Sequence, residues 1–290
     1  MPAALPADNA TTRLDTGTLA EKYPRLKSDL TASVFASPIL LNSTTGKDFA
    51  HGEVYAVLDT PFATLKQTLT TPRQWCELAI LHVNIKTCTH QQEQIRFFVG
   101  RKHYQPPEQA HPVQYTFATL ASTAAHLQLR LSAADGPLGT SAYQIGFEAV
   151  PIDGQRSFIH FTYRYRFGLV ARLAMQTYLS TLGRSKVGFT ITGTDDKGEP
   201  IYIQGLQGVI ERNVMRYIFA IQSVVEAAKS PQEYQPTAQL VRWYAHISRY
   251  PAQLVELSRD EYLRNKQHEI HNQLALQASL ETRPAETTDP

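Results

Sequence analysis

The chain has 290 residues and a mass of 32.5 kDa, enough for one large domain or two small ones with a sizeable core. Hydrophobic residues make up 42% and charged residues 19%, with 15 glycines and 17 prolines, which excludes a wholly disordered, low-complexity or fibrous protein. The 28 basic residues nearly balance 26 acidic ones, so the net charge is only +2 and the chain is not expected to bind nucleic acid.

From the N-terminus, MPAALPADNATT lacks the charged start and apolar segment of a signal peptide. Two readings stay open: a periplasmic or otherwise exported chain after signal removal, and a cytoplasmic one. No apolar run approaches the roughly 18 residues of a membrane-spanning helix. The segment 1–46 is rich in Thr, Ala, Ser and Asp, and only SVFASPILL interrupts it, which reads as a mobile arm with one docking patch. GEVYAVLD then has the composition of a strand and ends at Thr60-Pro61, where a helix can start. Thr71-Pro72-Arg73-Gln74 spells a capping box with Pro at the first helical position and leads into WCELAILH, so two short helices follow the strand.

Cys76, His82, Cys88 and His90 fall within fifteen residues and are all metal-ligand types. Their first gap of five is wrong for a structural zinc site, which opens with ligands about two to four residues apart, so no metal and no other cofactor is expected. In an exported chain Cys76 and Cys88 could instead join, closing a loop of about a dozen residues for roughly 3 kcal/mol. In the cytosol both would stay reduced and buried.

Period-two segments come next. Val113, Tyr115 and Phe117 alternate with polar residues, as do Leu127, Leu129 and Leu131, then Tyr143, Ile145, Phe147 and Ala149, and finally Ile159, Phe161, Tyr163, Tyr165 and Phe167. With QIRFFVGRK and a strand near Ile85, this predicts an antiparallel meander of about six strands with one wet face. A helix over Leu169–Leu182, a hairpin over VGFTITG and IYIQG, and a long helix follow. Val214, Ile218, Ile221, Val225 and Ala228 give that long helix an apolar stripe. The tail from about Tyr234 is helical, with a Ser258-Arg259-Asp260-Glu261 capping box opening a polar helix, and ETRPAETTDP is expected to be disordered. The predicted division is an arm 1–46, a ligand-binding domain 47–230, a helical extension 231–282 and a loose end 283–290.

Strand, two short helices, antiparallel strands and a long amphipathic C-terminal helix is the element order of the helix-grip fold, and 51–229 resembles the START-like (SRPBCC) superfamily. WCELAILHVNIKTC, DGPLGT, GLVARLAMQTYLSTLGRSKVGFT and GVIERNVMRYIFAI also look like an uncharacterised proteobacterial group whose members often carry an export signal. The resemblance implies an α+β fold: a curved antiparallel sheet around the long helix, with a cavity that in relatives holds lipids, sterols, polyketides or aromatic compounds.

Glu211 lies seven residues before Ile218, so a carboxylate should face the sheet. It reads as an acid/base group or polar anchor assisted by Arg212 or Arg216, or as a first-turn carboxylate complementing the helix dipole. Tyr115, Tyr143, Tyr163 and Tyr165 share inward faces, either as sheet packing or as converging hydroxyls. Trp75 and His82, seven apart, fall on one side of the second short helix if it continues that far. The candidate ligand-binding set is Trp75, His82, Tyr115, Tyr143, Phe161, Tyr163, Tyr165, Glu211, Arg212, Met215 and Ile218. Arg164, Arg166, Arg172, Arg184 and Lys186 could receive an acidic head group or form peripheral membrane contact, or be a solvated face. His268 and His271 lie one helical turn apart on the polar tail helix. Nucleophile-elbow, phosphate-loop and dinucleotide motifs are absent. The expected function is binding or carriage of a hydrophobic, lipid-like small molecule. The alternatives are a cyclase- or hydrolase-type enzyme using the same cavity with Glu211 catalytic, and an envelope interaction protein whose partner is unknown.

Overall fold

The computed structural model describes residues 17–169, 171–173 and 186–282. Eight strands form one antiparallel sheet: β1 (Ile39–Thr45), β2 (Phe49–Leu58), β3 (Ile85–Gln91), β4 (Gln94–Val99), β5 (His111–Ser122), β6 (Leu127–Asp135), β7 (Thr140–Pro151) and β8 (Ser157–Phe167), in the order β1-β2-β8-β7-β6-β5-β4-β3. Helices α2 (Phe62–Leu69) and α3 (Pro72–Ala79) carry the chain from β2 to the far edge at β3, and the meander returns strand by strand until β8 lies beside β2. The Thr71 capping box opens α3, with the side chains of Thr71 and Gln74 each bonded to the other's backbone. The hairpin β9 (Ile191–Thr194) and β10 (Pro200–Tyr202) precedes the long helix α4 (Gly205–Ala227). This is the α+β helix-grip arrangement.

Alternation explains the inner face: Val113, Leu129, Ile145, Phe147, Ile159 and Phe161 all turn into one core, which α4 completes through Ile210, Val214, Ile218 and Ile221. Gly52 on β2 permits the closest approach, since a Cβ there would lie 2.9 Å from Val214 Cγ1.

Two expectations need correction. Most of the arm is built into the domain. Thr18 and Glu21 close a capping box on α1 (Leu19–Thr31), which lies on the opposite face of the sheet over Tyr55, Val57, Val150 and Phe158, while SVFASPILL leads into edge strand β1. The six-strand meander stands as β3 to β8, and the sheet reaches eight because β2, expected as a strand, pairs with β8 from far away in sequence and the Thr/Ser-rich β1 adds an edge. The extension is not an appendage either. Helix α5 (Gln235–Ile247) packs on α4, burying Trp243, whose Nε1–H donates to Arg216 O at 3.2 Å. α4 is therefore covered on two sides, which is why it is apolar beyond a single stripe.

After the short helix α6 (Pro251–Leu254), α7 (Arg259–Glu281) runs along β3 and covers that sheet edge with polar side chains. Cys88 N–H donates to Gln273 Oε1 at 3.0 Å, and Gln277 exchanges hydrogen bonds with the His90 backbone at 2.9 and 3.0 Å. Lys266 Nζ donates to His82 O at 2.7 Å and to Ile85 O at 2.9 Å. Glu269 joins Lys86 at 2.8 Å and Lys266 at 2.6 Å, all three side chains being buried. His268 and His271 are exposed on this helix, and no group of three metal-ligating residues occurs among the described residues. The predicted helix over 169–182 falls largely outside the described residues, as do 1–16 and 283–290.

Candidate functional site

A cavity of about 230 Å³ lies between the inner sheet face and α4. Strands β3 to β5 supply Ile85, Phe97, Val99, Val113 and Tyr115; β7 and β8 supply Tyr143, Tyr163 and Tyr165; α4 supplies Asn213 and Tyr217. His82 and Asn84, in the turn between α3 and β3, close one side. The Pro137–Thr140 turn closes another, and Leu138, 70% exposed, marks where the cavity meets solvent.

The rings form a connected aromatic wall. Tyr217 is 5.3 Å from His82, 5.6 Å from Phe161 and 5.9 Å from Tyr163, between ring centroids, and Tyr143 stacks on Tyr165 at 5.3 Å. Tyr143 is satisfied within the protein: its hydroxyl donates to Thr140 Oγ1 at 2.7 Å, and Thr140 donates onward to Pro137 O. The hydroxyls of Tyr115, Tyr163, Tyr165 and Tyr217 have no hydrogen-bond partner among the described residues. Burial raises the pKa of all four phenols above the ordinary value, so each keeps its proton at neutral pH.

His82 is 5% exposed. Its Nδ1 accepts the Asn84 backbone N–H at 3.1 Å, which puts the proton of the neutral ring on Nε2, and Nε2 has no partner in hydrogen-bond geometry among the described residues. Burial drives the His82 pKa well below its ordinary value; Arg216, Lys266 and Lys86 act in the same direction, and a weak hydrogen-bonding approach of the Asn213 side chain, outside normal hydrogen-bond geometry, acts in the other. The ring is neutral at physiological pH.

Of the candidate residues, His82, Tyr115, Tyr143, Tyr163 and Tyr165 meet at this cavity. The other six do not line it. Trp75 is fully buried in the core, donating to Leu69 O at 2.8 Å and meeting Phe147 edge-on. The expected pairing of Trp75 with His82 along one helix fails because α3 ends at Ala79. Phe161 stands behind Tyr217, while Met215 and Ile218 are buried in the core around α4.

Glu211 is in the second turn of α4, not the first, and is fully buried away from the cavity. Its carboxylate accepts Ser43 Oγ–H at 2.7 Å, Thr190 Oγ1–H at 2.6 Å, Thr190 N–H at 3.0 Å and the Phe189 N–H. Four donors saturate its acceptor capacity, so it clamps β1 and the segment before β9 to the helix. A Cβ at Gly188 would collide with this carboxylate. Arg212 donates to Val187 O at 3.1 Å, on the same side. Arg216 pairs with Glu256 at 2.9 Å.

The basic residues do not form one patch. Arg164 and Arg166 are exposed on the outer sheet face, Arg166 pairing with Asp48 at 2.6 Å, whereas Lys186 turns inward to Val255 O and Glu256. Arg184 lies outside the described residues. Cys76 and Cys88 are joined by a disulfide between α3 and β3, with their Cα atoms 5.2 Å apart.

Asn213 and Tyr217 are the functional candidates that sequence reasoning missed. They sit one turn apart on α4, beside the Val214–Ile218 stripe, and the signal was a polar and an amphipathic residue at spacing four on a helix otherwise facing the core.

The fold and cavity define an α+β helix-grip protein with an aromatic, hydroxyl-lined interior. No protein-family model matches the chain, and no curated protein matches it. Among solved structures it is similar to norcoclaurine synthase from Thalictrum flavum (12% identity, TM-score 0.34, covering 50% of this chain and 88% of that one). It is also similar to a START superfamily protein from Mycobacterium smegmatis (14%, TM-score 0.31, 47% and 92%). A third likeness is the Zhui aromatase/cyclase from Streptomyces sp. R1128 (12%, TM-score 0.33, 47% and 86%). What defines the fold here is the strand order and the placement of α4.

Proposed function

We propose that this chain binds a small hydrophobic molecule in the cavity between sheet and α4. One observation carries the reading: His82 Nε2 and the hydroxyls of Tyr115, Tyr163, Tyr165 and Tyr217 converge on one apolar-walled volume without hydrogen-bond partners among the described residues. Buried polar groups in a filled core are paired, so unpaired ones around a cavity point to a bound molecule. The volume of about 230 Å³ is below the roughly 300–1,000 Å³ of pockets for drug-sized ligands, which favours a compact ring compound over a whole lipid.

An acid/base role for Glu211 has no support, because its carboxylate is occupied elsewhere. The helical extension carries part of the core, so it is not a separable docking tail for a partner. The disulfide supports an exported chain, since such bonds persist in oxidising compartments.

Native mass spectrometry of gently purified protein, followed by denaturing extraction, tests the binding reading. A stoichiometric small-molecule mass is the expected result. An apo mass together with no saturable uptake of a solvatochromic probe would overturn it.

A further inference from the structure

The polar groups that face the cavity, the amides of Asn84 and Asn213 apart, share a bias that sets the chemistry of the ligand. No Asp or Glu among the described residues lines the cavity. His82 can offer only a donor there, because its Nδ1 is already taken by the Asn84 backbone N–H. Tyr115, Tyr163, Tyr165 and Tyr217 each hold a hydroxyl proton that no described residue accepts.

The region behind His82 is electropositive. Lys266 bonds to the His82 carbonyl at 2.7 Å and shares Glu269 with Lys86. On the neighbouring turn Glu256 is met by Arg216 at 2.9 Å, Lys102 at 2.6 Å and Lys186 at 3.5 Å. Five cationic side chains thus meet two carboxylates, and three of them, Arg216, Lys266 and Lys86, lie close enough to act on the His82 ring. An apolar wall of Phe97, Val99 and Val113 completes the lining.

We propose that the cavity selects a ligand whose polar end is an acceptor oxygen, of a carboxylate, phenolate or carbonyl, seated between His82 Nε2 and the Tyr217 hydroxyl, with an aromatic or apolar body against Phe97, Val99 and Val113. This rests on the binding reading above and adds the polarity of the ligand. A donor-only head, such as an ammonium group, could use the tyrosine and Asn213 oxygens as acceptors but would leave the His82 Nε2 proton unmatched and would sit beside the cations that act on that ring. An apolar ring would fill the space and leave the donors unpaired.

The test is a calorimetric titration at neutral pH of the full chain with four probes built on one ring: benzoate, benzaldehyde, toluene and benzylammonium. Benzoate or benzaldehyde is expected to bind at least about tenfold more tightly than toluene and benzylammonium, the scale of one charge-assisted hydrogen bond. Benzoate ahead of benzaldehyde assigns an anionic head, and parity assigns a neutral carbonyl. In Tyr217→Phe, which keeps the ring packing, and in His82→Phe, the preference for oxygen over toluene should shrink while toluene affinity holds. Toluene or benzylammonium binding as tightly as the better of benzoate and benzaldehyde would overturn the inference and leave the binding reading standing. Failure of all four probes to enter would overturn both.

Discussion

Replacing Glu269 with Gln should be among the most damaging single changes in this chain, although Glu269 belongs to a helix whose sequence looks like surface. The carboxylate is fully buried and receives Lys86 Nζ at 2.8 Å and Lys266 Nζ at 2.6 Å, tying α7 to β3. Gln keeps the shape and removes the charge, so two buried ammonium groups lose their counter-ion. Breaking a buried pair in this way is destabilising by about 3–5 kcal/mol, a large fraction of the roughly 5–15 kcal/mol that typically holds a domain. Urea unfolding at pH 7, followed by circular dichroism, measures it against Glu77→Gln. Glu77 makes an exposed pair with Arg73 at 2.9 Å, so its loss should register about 1 kcal/mol or less. Replacing all three buried groups together, as Lys86→Met, Glu269→Leu and Lys266→Met, should recover most of the loss, because desolvation of the charges is then avoided. Equal effects of Glu269→Gln and Glu77→Gln would refute the reasoning.

Other predictions concern pH and the clamp. Burial holds Lys266 down to about 8 against an ordinary value of 10.5, so between these values the unfolded chain binds more protons than the folded one. Stability should therefore rise with pH across that window relative to Lys266→Met, as read from urea midpoints. For His82 the depressed pKa means that only the unfolded state takes a proton as pH falls below 6.5, so stability should decline on that side, with a slope of at most about 1.4 kcal/mol per pH unit. His82→Phe should flatten this limb. Glu211→Gln presents an amide to the donors of Ser43, Thr190 and Phe189 and should destabilise by about 3 kcal/mol in denaturant while leaving affinity for a cavity probe unchanged. A parallel loss of probe affinity, measured under folded conditions, would return Glu211 to the site. Deleting 231–290 strips Trp243, Tyr262 and Glu269 from the core and should yield a chain without cooperative thermal unfolding.

The sheet was legible because β5 to β8 each keep one wet face, so strict alternation survived from Val113 to Phe167. The Thr71 capping box and the α4 stripe were legible for the same reason: local spacing reports local geometry. What escaped was non-local. Tyr55 and Val57 were apolar on the second face of β2, the trace of α1 above them, but nothing in the sequence said which segment would cover them. α7 itself was legible from its Ser258 cap, but its docking escaped because it runs through Lys266, Glu269, Gln273 and Gln277, residues whose composition reads as solvent-facing until an edge strand lies opposite. In the site, the tyrosines followed from the pleat, whereas Glu211 was drawn toward the cavity by its angle on the helix alone. The angle was sound, but what it meets is Ser43 on β1 and Thr190 just before β9, which take it up.

The most direct test of the central claim is the imidazole resonance of His82 in ¹⁵N-labelled protein, followed as benzoate is added. A neutral ring with the proton on Nε2, whose N–H signal shifts downfield and exchanges more slowly with solvent on saturation, is the predicted result. A ring protonated near neutral pH, or saturable benzoate binding that leaves this resonance unmoved, would contradict the account.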